Sequence, residues 1–579
     1  MTLAYAPLTL GYAADTGAPV TLDRETLTQH GCVLGQTGTG KTAFLASLAV
    51  QQIHQGGGLI FCDTKRDARL LRALVYAAWH ADRADQVRVF DVARPVHSYN
   101  PAASTNPLLV VRKTMQLLSR VPPGSEAEYH QDQVRLFLIH AVRALTATGL
   151  TPLIEDIQCL ASDPDQALPI LRQILGRRGA LDYYAELMNY FRRFGFGERP
   201  EGERFRLGEA RDSLSALTAA VGAITAGRLT KNFAKADGDL NLLESIRKDH
   251  LVYLGLPRQQ DKEYGRFGEL FLADLDAAIK EIQETEGRLA NAPVLVILDE
   301  FPSYAIPEFA AVFEQARSAG VALIAGIQTL SGLADRAKGL SEEFRDRVLG
   351  NCATKVCFRL GEGESAEFLS KYVGKIVRPF LQESQTVSKG RSWNLLTPST
   401  WLGITQQSAT RAGFTGTRMM KDLVLEGRVL TQLLAPRGQA ILLGHGPDPI
   451  PFWTSWVDEQ AVPAGWPFMR VLPRIERAQP PLLGLARLVR ERRLLRIPAA
   501  GPEEPAGDSP GARGLGSRPP ETRASEREAR PAPPRRPSAE KATKARKKPP
   551  QASIFSFTPP AGASASSGAP SESPRGGGA

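Results

Sequence analysis

Three short runs in this chain carry side chains able to hold and cleave a phosphoanhydride. The first is "GQTGTGKT", Gly35-Gln36-Thr37-Gly38-Thr39-Gly40-Lys41-Thr42. Glycines at this spacing let backbone N–H groups turn inward around phosphate oxygens. Lys41 would pair with the β- and γ-phosphates, and the Thr42 hydroxyl would hold Mg2+. The second is "VLVILDEF" (294–301), an apolar run that ends in Asp299-Glu300. A carboxylate at a strand tip beside such a loop supplies the second contact to the metal. That assigns Asp299 to Mg2+ and leaves Glu300 to activate the attacking water. A strand that ends in two solvated acids is common in isolation, so the pairing with the glycine loop carries this reading. The third is "RSAGVALIAGIQTLSGL" (317–333). Its small apolar strand ends at Gln328, whose amide could sense the γ-phosphate or the water, and Arg317 lies on its approach. A lone arginine or glutamine is ordinarily a surface residue.

The glycine loop needs a strand before it and a helix after it. "GCVLG" (31–35) reads as the strand and "KTAFLASLAVQQIHQ" (41–55) as the helix. "GGGLIFCD" (56–63) is then a turn and a buried strand, "DARLLRALVYAAWHA" (67–81) a helix and "QVRVFDV" (86–92) a strand. This alternation is that of a parallel α/β sheet. Residues 1–30 read as a short strand-rich lead-in. From about 105 to 235 the pattern is helical throughout. "SEAE" (125–128) has the form of a capping box, and Thr151-Pro152 that of a cap followed by a first-turn proline. Strands resume at 250–257, 292–300, 320–328 and 353–360, with a helix over 263–285 and a last strand at 439–444. Between 380 and 425 the chain is rich in Ser, Thr, Gln, Gly and Arg, and reads as a long irregular excursion.

The expected organisation is a nucleotide-binding domain split into residues 1–104 and 236–470 by an all-α domain at 105–235. A helical extension (471–500) and a tail (501–579) follow. The tail is dominated by Pro, Ala, Gly, Ser and Arg, which cannot bury enough apolar surface to offset its ordering entropy, so it is expected to be disordered. It holds 13 basic and 8 acidic residues, half of the formal net charge of +10. The remainder is only mildly basic, so charge alone points weakly to nucleic acid. In the tail, "EKATKARKKPP" (540–550) could add phosphate contacts, and "SIFSFTPP" (553–560) could be a docking peptide. Five scattered cysteines form no disulfide framework and no zinc spacing, which favours reduced buried thiols. No apolar run approaches the length of a membrane span and no signal peptide opens the chain.

The run "LTQHGCVLGQTGTGKT", then "FCDTKRD", then "VRVFDVARPVHSYNP", then "LDEFPSY…ARSAGVALIAGIQTLSGL" resembles the coupling ATPases of type IV secretion and conjugation. These belong with the FtsK and HerA pumping ATPases. "HLVYLGLP" and "LVLEGRVLTQLLAPRGQAILLGHG" are similar to that group as well, so the resemblance spans roughly residues 10–460. Its more specific parts are the Asp-x-Lys-x-Asp run, the Arg-x-x-Gly approach and the glutamine strand. The resemblance implies a RecA-like P-loop core with the helical domain inserted, using ATP and Mg2+. It further implies a homo-hexameric ring that passes DNA through a central channel, with relaxase and type IV secretion components as partners. Arg317 would then reach the γ-phosphate of a neighbouring subunit, with Arg359 as a second candidate. Many coupling proteins begin with membrane helices. Their lack here implies a cytoplasmic protein, or one held at the inner membrane through partners. The basic segments "SKGRSW" (388–393) and "DRAKG" (335–339) read as solvated loops more readily than as pore loops. Two other readings remain open: a HerA-like duplex pump working with a nuclease, and a nucleotide-gated docking platform without processive pumping. Glu300 speaks against the platform.

Overall fold

A computed structural model describes residues 5–92, 96–104, 106–118, 124–193, 212–225, 238–256, 266–287, 293–391, 407–423, 425–434, 436–446, 448–457, 465–475, 480–496 and 555–556, with a few single positions between them. The expected disorder of the tail falls, apart from 555–556, outside the described residues.

The chain opens with the hairpin β1 (Leu8–Ala13) and β2 (Pro19–Leu22). β3 (Gly31–Leu34) leads into the helix Lys41–His54, and β4 (Leu59–Asp63) into the helix Ala68–His80. β5 (Val87–Asp91) closes this first part. Later strands are β6 (Leu251–Gly255), β7 (Val294–Leu298), β8 (Val321–Ile327) and β9 (Thr354–Cys357). After the long pair β10 (Lys375–Arg391) and β11 (Gln407–Leu423) come β12 (Gln439–Leu443), β13 (Ile450–Thr454), β14 (Trp456–Val457) and β15 (Phe555–Ser556).

Eleven strands form one sheet in the order β2-β1-β13-β12-β9-β3-β8-β7-β4-β6-β5. From β9 to β5 every neighbouring pair is parallel, and from β9 to β2 every pair is antiparallel. The strands β4, β5, β6, β7 and β8 are buried along their whole length. That is why they read as continuous apolar runs rather than alternating ones: both faces are covered. Even-numbered positions such as Ile60, Cys62, Val296 and Leu298 join one core. Phe61, Leu295 and Ile297 join the other, with the helices Lys41–His54 and Ala68–His80. The fold is thus α/β with a parallel-rich sheet, as the sequence implied.

Helices fill Pro107–Met115, Glu126–Ala147, Ile154–Ser162, Pro164–Arg178, Leu181–Arg192 and Ser215–Thr225. Their apolar sides continue the core on the sheet face that also carries the helices Phe267–Thr285 and Ala310–Ala319. Two expected caps differ. Glu128 takes the amide of Gly124 rather than closing a box on Ser125, which makes no side-chain cap bond to its helix. Thr151-Pro152 precedes the next helix instead of opening it. Thr151 bridges to Leu482, and the helix begins at Ile154, with the Asp156 carboxylate on the Leu153 amide. The other Asp156 oxygen accepts the Ala486 amide, which ties down the helix Leu485–Arg496.

The largest departure is at 380–425. Where an irregular excursion was expected, β10 and β11 pair antiparallel over 17 residues each, from Lys375↔Leu423 to Arg391↔Gln407. At about 3.4 Å per residue the ribbon is roughly 55 Å long. Each strand has a single ladder partner, so the ribbon needs no continuous apolar face, and its Ser, Thr and Gly content disguised it. Of the tail, Phe555–Ser556 forms β15, antiparallel to Trp456–Val457. The five cysteines are buried thiols. Among the described residues no helix is long and apolar enough to cross a membrane.

Asp156 serves two buried-side amides at 2.9 Å each. Asp156→Ala orphans both and is expected to destabilise the protein by about 1–3 kcal/mol in a denaturant melt. An unchanged midpoint would show that the carboxylate does not anchor the two helices.

Candidate nucleotide-binding and catalytic site

Five adjacent parallel strands, β4-β7-β8-β3-β9, place their carboxyl ends on one edge of the sheet, the edge at which open α/β sheets bind ligands. Each tip delivers one group: Lys65 after β4, Asp299-Glu300 after β7, Gln328 after β8, the glycine loop after β3 and Arg359 after β9.

The loop is held at both ends by the sheet. The Gly35 amide donates to the Ile327 carbonyl at 3.1 Å, and the Gln36 amide to Arg359 O at 2.8 Å. Thr39 Oγ1 donates to Gln36 O at 2.8 Å, which closes the turn. Gly35 has φ 155°, and a Cβ there would stand 2.6 Å from Phe358 Cβ, so only glycine fits. Gly40, at φ 112°, is the N-cap of the helix Lys41–His54, and no side chain caps that helix. Its first amides therefore face the loop, a setting for a phosphate. Thr37 and Gly38 form the exposed apex.

Lys41 is buried and donates to the Gly35 carbonyl of its own loop. Burial lowers its pKa, against the opposing pull of Glu300 and Asp299. Thr42 Oγ1 donates to Asp299 Oδ2 at 3.0 Å. Asp299 is fully buried, and its Oδ1 accepts no hydrogen bond among the described residues. A Cβ at Gly326 would stand 3.1 Å from that Oδ1, so the neighbouring strand leaves room for the carboxylate. A threonine hydroxyl and a buried carboxylate with a free lone pair, side by side, form a donor set that suits Mg2+.

Glu300 occupies the left-handed region at φ 57°, an uncommon conformation for a glutamate and one that strained functional sites tolerate. Its Oε2 accepts from Gln328 Nε2 at 2.7 Å. The structure thus brings Lys41, Thr42, Asp299, Glu300 and Gln328 together.

Arg317 is not among them. It is exposed in the last turn of the helix Ala310–Ala319, just before β8. The glycine loop lies past the opposite ends of the strands, about 20 Å away along the seven residues of β8. Arg359 has a place that the trans role did not foresee. With the Gln36 amide oriented to satisfy both groups, the Arg359 guanidinium donates to its oxygen at 2.6 and 2.7 Å. It braces its own subunit's loop. Lys65, which the sequence offers only as part of the Asp-x-Lys-x-Asp run, sits 3.0 Å from Thr42 Oγ1. Its sequence signal was an acid closing a buried strand with a lysine two positions on. Of the two basic segments, Lys338 is tied to the Pro302 carbonyl at 2.9 Å. Residues 388–391 lie at the distal end of β10, and Ser392-Trp393 fall outside the described residues.

Residues 293–410 match the family model described as the TraM recognition site of TraD and TraG, and residues 8–115 match that of the central domain of the helicase HerA. The chain is similar to the type IV coupling proteins. It is 22% identical over 408 residues to the type 4 coupling protein DotL of Legionella pneumophila, covering 62% of this chain and 51% of DotL. The chain therefore spans about half the length of the curated relative it matches. Among solved structures, the plasmid coupling protein TrwB in complex with ADP and Mg2+ superposes with a TM-score of 0.51 at 15% identity. That match covers 79% of this chain and 93% of that one. TrwB with the GTP analogue GDPNP gives 0.50 at 15% identity, over 78% and 90%. These likenesses establish the RecA-type fold.

Arg359→Ala removes a charged, two-pronged brace from the loop. It is expected to weaken binding of a fluorescent ADP by about tenfold in its own subunit. In mixed assemblies the loss should scale with the fraction of variant subunits; a dominant effect on neighbours would return Arg359 to a trans role.

Proposed function

We propose that this chain is the ATPase subunit of a type IV coupling machine. It hydrolyses ATP with Mg2+ at the strand tips and uses the energy to move DNA, single-stranded and with its relaxase, toward a transfer channel. The observation that carries this reading is the convergence from three strand tips of two hydrogen-bonded pairs, Thr42 with Asp299 and Gln328 with Glu300, whose acids are neighbours in the chain. Support for the nucleotide comes from TrwB, seen with ADP and Mg2+. Support for the coupling role comes from DotL and from the family model named for TraM recognition.

Thr42 and Asp299 would hold the metal, which when bound would neutralise charge on the β- and γ-phosphate oxygens. Lys41 exchanges the Gly35 carbonyl for a phosphate oxygen. Glu300 takes a proton from water as the water oxygen bonds to the γ-phosphorus, and the bond to the bridging oxygen breaks to give ADP and phosphate. Gln328 fixes the Glu300 carboxylate through its 2.7 Å hydrogen bond. Arg317, at the far end of β8, serves this reaction only from a neighbouring subunit, which fits a hexameric ring. In the β10–β11 ribbon seven basic residues stand against two acidic ones, a balance suited to a phosphate backbone. The HerA match over 8–115 keeps a duplex pump as the second reading. The helical run between β5 and β6 favours the coupling role.

Glu300→Gln should keep the affinity for an ATP analogue within about threefold and lose single-stranded-DNA-stimulated hydrolysis by about 10²–10⁴-fold. Normal turnover in this variant would remove Glu300 from the chemistry. Stimulation by duplex DNA alone would favour the pump, and none by either DNA would favour the docking platform.

Arg317→Ala subunits should bind nucleotide normally, fail to hydrolyse it and depress the rate of mixed rings more than in proportion to their share. Full hydrolysis by an all-variant ring would end the trans assignment.

A further inference from the structure

Lys65 touches the metal donor set yet has no part in the chemistry above, and the turn that carries it is tightly bonded. Asp63, at the end of β4, accepts the Lys65 amide at 2.7 Å, the Asp67 amide at 2.8 Å and the Tyr253 hydroxyl at 2.8 Å. Between them Arg66 takes a left-handed φ of 53°, and Asp67 caps the helix Ala68–His80 through the Arg69 amide. The turn is therefore fixed on both sides. It lays the Lys65 side chain across to the neighbouring tips, with Nζ 3.0 Å from Thr42 Oγ1, 3.5 Å from Asp299 Oδ2 and 3.8 Å from Glu300 Oε2. The ammonium stands where the hydroxyl and carboxylate of the metal donor set meet.

Two adjacent carboxylates, one fully buried, repel each other and cost desolvation unless a cation lies between them. Lys41 is turned to the Gly35 carbonyl, which leaves the Lys65 ammonium in contact with both acids. The Lys65 side chain is 34% exposed, so it has a path outward to solvent. We propose that Lys65 is a placeholder cation. In the nucleotide-free subunit it neutralises Asp299 and Glu300, and it withdraws when the metal arrives already bound to the triphosphate. Lys65 is thus a positioning residue that keeps the empty site from trapping free divalent metal. This inference rests on the nucleotide-site reading given above.

The test is Mn2+ titration of the full chain without nucleotide, followed by the electron paramagnetic resonance signal of free Mn2+. The proteins compared are wild type, Lys65→Met, Lys65→Arg and Lys65→Met with Asp299→Asn, each checked by thermal melt. Lys65→Met should bind Mn2+ at least about tenfold more tightly than wild type. Lys65→Arg, which keeps the charge, should stay near wild type, and adding Asp299→Asn to Lys65→Met should abolish the gain. Equal binding by wild type and Lys65→Met, or no detectable binding by Lys65→Met, overturns the placeholder role. The nucleotide-site reading fails separately: it is sunk if Mn2+-dependent ADP binding is unaffected by Asp299→Asn.

Discussion

The Thr42 hydroxyl and the Asp299 carboxylate lie 257 residues apart in the chain and 3.0 Å apart in space. Holding that contact is the task of the parallel block. β3 pairs with β8, and β8 with β7, in registers that end all three strands on one edge. Full burial on both faces makes those registers hard to slip, because a shift of one residue would exchange the two cores. The position of every other site group follows from that edge. Gln328 is the residue after β8, Arg359 follows β9 and Lys65 follows β4. Gly326 keeps a Cβ out of the space that Asp299 needs.

Much of this was legible in the residues. The loop 35–42 between a strand and a helix announces itself, because its glycines have no other common use at that spacing. The apolar run into Asp299-Glu300 and the strand into Gln328 could be read as tips. Their partnership could not be read so directly. Strand order depends on crossovers, and nothing local says that β8 lies between β7 and β3. The same gap hid the Arg359 brace, which exists only because β9 flanks β3. Arg359 and Arg317 look alike as candidate fingers in a sequence, yet they lie at opposite ends of the sheet.

The ribbon β10–β11 shows a different limit. Composition separates loops from strands when strands must bury something. A two-stranded ribbon is held by its ladder, so Ser, Thr, Gln and Gly can serve it and the usual signal vanishes. The unclosed box at Ser125, which is still the N-cap of its helix, and the late start after Thr151 show a further limit. At 125–128 and 151–152 the residue types fit the motifs, but a competing local amide in the first case and a tertiary contact in the second decided otherwise. Glu128 serves the Gly124 amide, and the contact between Thr151 and Leu482 delays the helix.

That last contact belongs to a longer return of the chain. After the sheet is complete, the helix Leu485–Arg496 comes back to the helices Ile154–Ser162 and Pro164–Arg178, with Arg490 on Glu155 and Ala486 on Asp156. Leu485 and Val489 are buried in the shared core. For anyone trimming the polypeptide, this sets a rule that the sheet alone would not suggest. A fragment cut after β14 would keep every strand of the main sheet and the whole phosphate edge, but would strip a wall from the helical layer more than 300 residues upstream. A piece meant to keep that wall has to run at least through Arg496.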